Sequence, residues 1–376
     1  MKFHALILSL YFSSFFVLGG VIPFWGVYLN SIHFNIIVLA FVTATIPLSR
    51  IFVPLIRSGI MYRHGTKHVI LICALISFLF MTLQLFYQNF IVCFISTLIF
   101  SLTWYTIIPL IDADSIEFSI LNHFSYAKLR VWGSIGFLTG ALFFGEAIKI
   151  SHNAYIIAII LSIVITGLLI YYNYPISVHD FDKNIMKISF FNFLLADKTS
   201  LFVVSSIVLQ ISFGAYYGFY SLYLLSHGYS TFSIGALWCV AIISEILFLF
   251  FVNVKPEIQK YLLVMAFTLS ALRWFIISYS TLLIFIILAQ IAHAVTFAPF
   301  HVSSIKIIRN SYPAHLREQS QVMYSALVYG AGIGIGVVIS GEVWIKYSPS
   351  SAFLVACLIA IFALTLLILA LREIDC

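Results

Sequence analysis

Among the ionisable residues within or at the ends of long apolar stretches, six could do chemistry: Arg50, Asp112, Arg130, Glu245, Arg273 and His293. A charge at the centre of a bilayer costs about 2.5–3.5 kcal/mol on insertion scales, so such residues need partners or water and usually line a pathway. A carboxylate within reach of a guanidinium binds and releases a proton as their separation changes, and a neighbouring imidazole can relay it. A guanidinium facing a cavity can hold a carboxylate solute.

Arg50 and Glu245 are 195 positions apart, and that offset is not accidental. The same shift sets Gly19 on Gly214, Phe24 on Phe219, Trp25 on Tyr220, Tyr28 on Tyr223 and Leu29 on Leu224. A shift of 196 sets Gly136, Gly140, Gly145 and Glu146 on Gly332, Gly336, Gly341 and Glu342. Two parallel copies, each with a deep ionisable residue, are the signature of an alternating-access carrier.

Composition sets the class to which those copies belong. With 62% hydrophobic and 9% charged residues, and a mean hydropathy of +1.10, the chain cannot clothe a soluble surface. Apolar runs of about 20 residues recur, at 4–29, 36–57, 69–87, 91–112, 129–149 and 154–174. After a polar connector at 175–198 they resume at 199–224, 233–252, 260–279, 282–305, 321–345 and 351–371. Runs this long in lipid must be helices, whose backbone groups pair internally. The expected fold is all-α and integral to the membrane: twelve transmembrane helices in two pseudo-symmetric halves, 1–174 and 199–376. The first run exceeds a signal-peptide core and no small-residue cleavage site follows, so it reads as a retained helix.

Of the 19 Lys and Arg residues, fifteen fall on one side, Lys149 and Lys346 on the other, and Arg50 and Arg273 within spans. The positive-inside rule puts both termini in the cytoplasm. It also accounts for the net charge of +6 without a nucleic-acid partner. The five cysteines are odd in number and four lie in apolar runs, so neither a disulfide framework nor a metal site is expected. There is no P-loop for ATP-driven transport, no G-x-S-x-G motif and no nucleophile–base pair, so an enzyme is not expected and no cofactor is implied.

The elements then position the charges. Glu245 is about 13 residues into span eight, roughly 20 Å from the outer surface, and Arg273 is similarly deep in span nine, running the opposite way. They can meet across a cavity, either as a structural ion pair or as a proton or substrate site. His293, near the middle of span ten, reads as a relay or ligand contact or as a packed core residue. Asp112 closes span four and Arg130 opens span five, so they form either a gate or substrate pair or two solvated interfacial residues. Glycines in spans five and eleven allow close, sliding helix contacts. The aromatic cluster Phe24, Trp25 and Tyr28, with its counterpart Tyr216, Tyr217 and Tyr220, could stack a flat apolar solute.

Ile22-Pro23-Phe24-Trp25, the run Tyr126 to Phe137 (YAKLRVWGSIGF), Ala215-Tyr216-Tyr217-Gly218-Phe219 and Leu272-Arg273-Trp274 resemble the 3-phenylpropionate transporter family of the major facilitator superfamily. The resemblance covers essentially the whole chain. Its R-x-W-G-S-x-G-F run is shared with nucleoside–proton symporters. A looser similarity to lactose permease implies a sugar-type pair at Asp112 and Arg130 and proton-coupling roles for Glu245, Arg273 and His293. The acid that follows the histidine there is replaced by Thr296 here, which leaves Glu245 as the main proton carrier. The loop between spans two and three carries Tyr62 where the superfamily has Asp, and span five lacks the G-P pair of drug antiporters.

The resemblance thus implies a monomeric importer in a bacterial cytoplasmic (inner) membrane. Its partners would be the lipid bilayer, protons and a small organic solute such as 3-phenylpropionate. Arg50 or Arg130 would draw the carboxylate, and Trp25, Trp132 and Tyr217 would pack on the ring. A nucleoside or sugar symporter of the same fold, and a membrane sensor that moves no solute, are the alternatives.

Overall fold

The computed structural model describes residues 2–174, 193, 199–252 and 255–372. The expected connector at 175–198 thus lies outside the described residues, apart from Phe193. The described residues hold eleven helices long and apolar enough to cross a membrane. They are His4–Ser31, Gly65–Phe86, Phe90–Leu121, Tyr126–Ile150, His152–Tyr172, Ser200–Ser226, Thr231–Phe251, Glu257–Tyr279, Leu283–Ser311, Ala314–Lys346 and Pro349–Ala370. With the shorter Ile36–Ile51 as span two, they make twelve spans in chain order and two six-helix halves.

The turns repeat with the sequence. His33 after span one and Gly228 after span seven both have positive φ, 67° and 84°. Two residues later, Asn35 and Ser230 each cap the next helix, their side chains accepting from the N–H of Val38 and Ser233. An N-cap oxygen satisfies a backbone donor that the helix itself leaves open. Asn89, Ser151 and Ser348 do the same for spans four, six and twelve. These capped starts all lie at one end of the bundle, opposite the end richest in Lys and Arg.

Helix crossing is duplicated too. A Cβ on Gly140 would run into the carbonyl oxygen of Phe16, and one on Gly336 into that of Ile211. Residues 16 and 211 are themselves 195 apart, so span five lies on span one as span eleven lies on span seven. Glycine is required where backbones approach this closely. Gly336→Val should therefore separate spans seven and eleven at a cost of about 1–3 kcal/mol, typical of overpacking. A lowered thermal-unfolding midpoint in detergent is the expected reading, and an unchanged midpoint would count against this crossing.

Several spans are interrupted at mid-membrane. Span two is α-helical only to Leu48, then narrows to a 3-10 turn at Ser49–Ile51. Pro54 has no N–H for the carbonyl of Arg50, four residues earlier, so the α ladder fails there, and the Phe52 N–H bonds to Ser49 instead. The sequence reading of one helix over 36–57 is corrected accordingly. In the second half, span seven breaks at Phe213, between Ser200–Ser212 and Gly214–Ser226. Span ten breaks at Ala292, between Leu283–Ile291 and His293–Ser311. Span eleven carries a π-helical segment at Ala326–Gly332. Irregular backbone at membrane depth is tolerated where protein or an internal cavity surrounds it.

At the capped end the halves touch. Gly26 of span one lies so near span seven that a Cβ there would stand 2.9 Å from the Gly218 carbonyl oxygen, and Gly145 of span five meets Thr231 of span eight in the same way. Toward the opposite end they part around a cavity.

Candidate functional site

Two clusters and two cavities hold the ionisable residues. The deeper cluster belongs to the second half. Arg273, on span nine, is 0% exposed. Its Nη2 donates to Gln290 Oε1 at 3.2 Å, and its Nη1 lies 3.1 Å from His293 Nδ1. The break at Ala292 puts His293 at the first position of a new helix, beside that guanidinium. An arginine can only donate, so Nδ1 must accept, and the proton of the neutral imidazole rides on Nε2. Nε2 faces Glu245 Oε2 of span eight at 3.8 Å.

The sequence reading let Glu245 and Arg273 meet; the structure inserts His293 between them, giving the order Arg273–His293–Glu245. The Tyr216 ring lies under the guanidinium, 4.2 Å from Cζ, and its hydroxyl donates to Gln290 at 2.9 Å. Among the described residues, Arg273 Nε has no hydrogen-bond partner.

The second cluster lies at the basic end of the first half. Asp112 Oδ1 accepts from the Tyr11 hydroxyl at 2.5 Å and from the Tyr126 hydroxyl at 2.9 Å, and Arg130 Nε lies 3.7 Å away. The structure thus brings Asp112 and Arg130 together. Arg130 also covers the Phe15 ring at 4.2 Å. Nearby, the Tyr174 hydroxyl donates to Asp114. Glu146 and Glu342 form exposed pairs with Lys149 and Lys346, of the kind worth little in stability.

The larger cavity, about 400 Å³, is lined by Arg50, Tyr105, Arg130, His315 and Glu318 among others. A smaller one, about 140 Å³, lies deeper and draws its walls from both halves: Tyr105 from span four, Tyr217 from span seven, Phe297 from span ten and Tyr329 from span eleven. Arg50 and Tyr105 line both, with the guanidinium 4.6 Å above the Tyr105 ring. Arg50 stands on the 3-10 turn and Tyr329 on the π segment, so the two irregular segments face each other across the halves. His301 Nδ1 lies 3.0 Å from the Tyr329 hydroxyl.

Tyr217 is the link between cavity and cluster. It is within electrostatic reach of Arg50 and also of Glu245 and Arg273. Its neighbour Tyr216 is the ring beneath Arg273.

Two aromatic expectations need correction. Trp25 is 1% exposed and packs against Tyr28 at 5.1 Å and Tyr155 at 6.4 Å, lining neither cavity. Trp132 is 40% exposed, on a stripe of span five with Ile135, Thr139 and Phe143 that turns away from the buried glycine face. The residues that sequence reasoning missed are Tyr105, Tyr329, Gln290, Tyr11 and Tyr126. Tyr126 did stand at the head of the YAKLRVWGSIGF run and Gln290 three residues before His293, but neither carries a charge that marks it in an apolar run.

Comparison with known proteins agrees with this architecture. The chain is 26% identical over 364 residues to the "Probable 3-phenylpropionic acid transporter" of Escherichia coli strain K12, covering 95% of each. It is 23% identical over 375 residues to the "Uncharacterized transporter YwbF" of Bacillus subtilis strain 168, covering 97% of this chain and 93% of that protein. Among solved structures, the nucleoside transporter NupG superposes with a TM-score of 0.86 over 100% of both chains at 18% identity. The POT family transporter PepTSo does so at 0.76, with 12% identity over 98% of this chain and 97% of that one. At those identities the likeness is one of fold. Residues 5–355 match the MFS_1 like family. With that match running through both six-helix halves, the chain belongs to the MFS_1-like family and is a transporter of the major facilitator superfamily.

Proposed function

We propose that the chain is a proton-coupled symporter that imports a small aromatic carboxylate of the 3-phenylpropionate type by alternating access. The observation that carries this reading is Arg50. It is a guanidinium stacked on Tyr105 at the junction of two cavities, and no carboxylate pairs with it among the described residues. The deeper cavity offers it aromatic walls, and a space of about that size holds one benzene ring. A carboxylate on Arg50 with its ring among Tyr217, Phe297 and Tyr329 satisfies both features. The 26% identity to a protein named for 3-phenylpropionic acid supports the same solute class.

The proton belongs on Glu245. While Glu245 is ionised, the Nε2–H of His293 faces it and Arg273 holds Nδ1. Protonation removes the negative charge at the end of that chain and releases His293. Arg273 then moves with the Tyr216 ring beneath it, and the adjacent Tyr217 changes the wall of the solute cavity. Solute anion and proton cross together, so the step carries no net charge. The halves 1–174 and 199–376 are the bodies that rock, joined by the connector at 175–198, and the Lys- and Arg-rich end is cytoplasmic.

The test is uptake of labelled 3-phenylpropionate into proteoliposomes with unlabelled competitors. Competition by arylalkanoic acids and not by nucleosides or sugars is expected. Saturable nucleoside uptake with no arylalkanoate uptake would overturn the solute assignment and leave the fold untouched.

A further inference from the structure

Arg273 holds span ten on both sides of its break. Its Nη2 donates to Gln290, in the last turn of Leu283–Ile291, and its Nη1 to His293, the first residue of His293–Ser311. The two bonds differ in what can undo them. The bond to His293 feels the charge of Glu245, which faces the other nitrogen of the imidazole at 3.8 Å. The bond to Gln290 does not, because an amide has no proton to gain or lose near neutral pH. Nor can that amide turn round: an arginine only donates, so the amide oxygen must face it.

The same oxygen has a second donor. The Tyr216 hydroxyl of span seven bonds Gln290 Oε1 at 2.9 Å, while the Tyr216 ring lies 4.2 Å from the guanidinium carbon. Both lone pairs of the oxygen are then used, and spans seven, nine and ten meet on one atom. Arg273 and Gln290 are 0% exposed, Tyr216 1%. Among the described residues no carboxylate lies within ion-pair distance of Arg273. Its charge rests on this amide, the imidazole and the rings of Tyr216 and Trp274.

The walls of the deeper cavity continue from the two sides of this junction. Tyr217 adjoins Tyr216, and Phe297 stacks on His293 with ring centroids 5.5 Å apart; both line the cavity. Losing the Arg273–His293 bond while the Gln290 bond holds leaves Arg273, Gln290 and Tyr216 as one unit, and His293 with Phe297 as another.

Resting on the proton-coupling reading above, we infer that Gln290 is a positioning residue of the coupling. Its carbonyl oxygen keeps Arg273 and Tyr216 together, so that release of His293 shifts the Tyr217 wall against the Phe297 wall. A side chain of the same length without that oxygen fills the space and loses the link.

The experiment measures two rates in proteoliposomes: initial uptake of labelled 3-phenylpropionate under an inward proton gradient, and its exchange without one. The rate in protein-free vesicles is subtracted from each. The readout is the ratio of the two, which is insensitive to how much protein is reconstituted and which general damage to the fold leaves unmoved. Gln290→Met should lower the ratio about tenfold, the worth of a hydrogen bond to a charged group. Tyr216→Phe keeps the ring and breaks only the bond between spans, and should lower it about threefold. The double variant should match Gln290→Met, which already removes both bonds. An unchanged ratio in Gln290→Met would overturn the role, as would a double variant lower by about thirtyfold, the product expected of independent sites. If Gln290→Met fails to fold, an unchanged ratio in Tyr216→Phe has the same force. Wild type whose uptake the gradient does not stimulate would overturn the proton-coupling reading itself, and this role with it.

Discussion

Arg50→Ala should raise the half-saturating concentration for an aromatic carboxylate about thirtyfold or more. Removing one partner of a desolvated charge pair costs about 2–5 kcal/mol, and each 1.4 kcal/mol is a factor of ten. Arg50 meets the condition for such an effect. It lies on a 3-10 turn at the meeting of two cavities, its guanidinium rests on Tyr105, and no protein carboxylate among the described residues takes up its charge. Arg50→Lys should fall between wild type and alanine, because an ammonium keeps the charge but neither the two-pronged donor geometry nor the planar stack on tyrosine. The check is concentration-dependent uptake by all three proteins. An alanine variant with wild-type affinity would remove Arg50 from the solute site and turn attention to Arg130, which also lines the larger cavity.

The second large effect is on energy coupling rather than affinity. Glu245→Gln should abolish accumulation driven by an inward proton gradient while leaving exchange of solute across an ungraded membrane. One pH unit is worth 1.36 kcal/mol per proton, so a one-to-one symporter of an anion and a proton concentrates solute up to about tenfold per unit of gradient. Over the initial phase of uptake the variant should accumulate solute no faster than protein-free vesicles, into which only the neutral acid passes. Glutamine is close in size and permanently uncharged, so the chain from Arg273 through His293 loses its terminal charge without a cavity opening. The pairing of outcomes is what makes the test specific to coupling. A merely structural role for the Glu245–His293–Arg273 chain would depress exchange and accumulation alike, whereas a coupling role separates them.

How much of this was legible in the sequence follows from which physical costs leave a mark there. Arg50, Glu245 and Arg273 stood out because a charge in an apolar run is expensive wherever its partner lies. The two halves were visible because the duplicated contacts need glycine: Gly140 and Gly336 sit against carbonyls of residues that are themselves related by the repeat. The break in span two was signalled by Pro54. The break before His293 and the π segment at Ala326–Gly332 carry no proline, so no residue of that kind marks them in the sequence. The cavity walls were least legible. Successive helical residues point about 100° apart, so choosing Tyr217 over Tyr216, or Tyr105 over Trp25, depends on the rotation of each span against the others. Nothing local to the sequence fixes that rotation. Trp132 was drawn into the site by its place in the R-x-W-G-S-x-G-F run, yet it occupies the exposed stripe of span five while Gly133, Gly136 and Gly140 occupy the buried one.

The most direct measurement is of the proton itself. Proteoliposomes loaded with a pH-reporting dye receive 3-phenylpropionate with no gradient imposed, alongside protein-free vesicles that report passive entry of the neutral acid. Wild type should acidify the lumen faster than the protein-free vesicles and with the time course of label uptake, and Glu245→Gln should not exceed them. Label entering through wild type with no acidification beyond the passive rate would mean that solute moves without its proton, and would contradict the coupling of Glu245 to the Arg50 cavity.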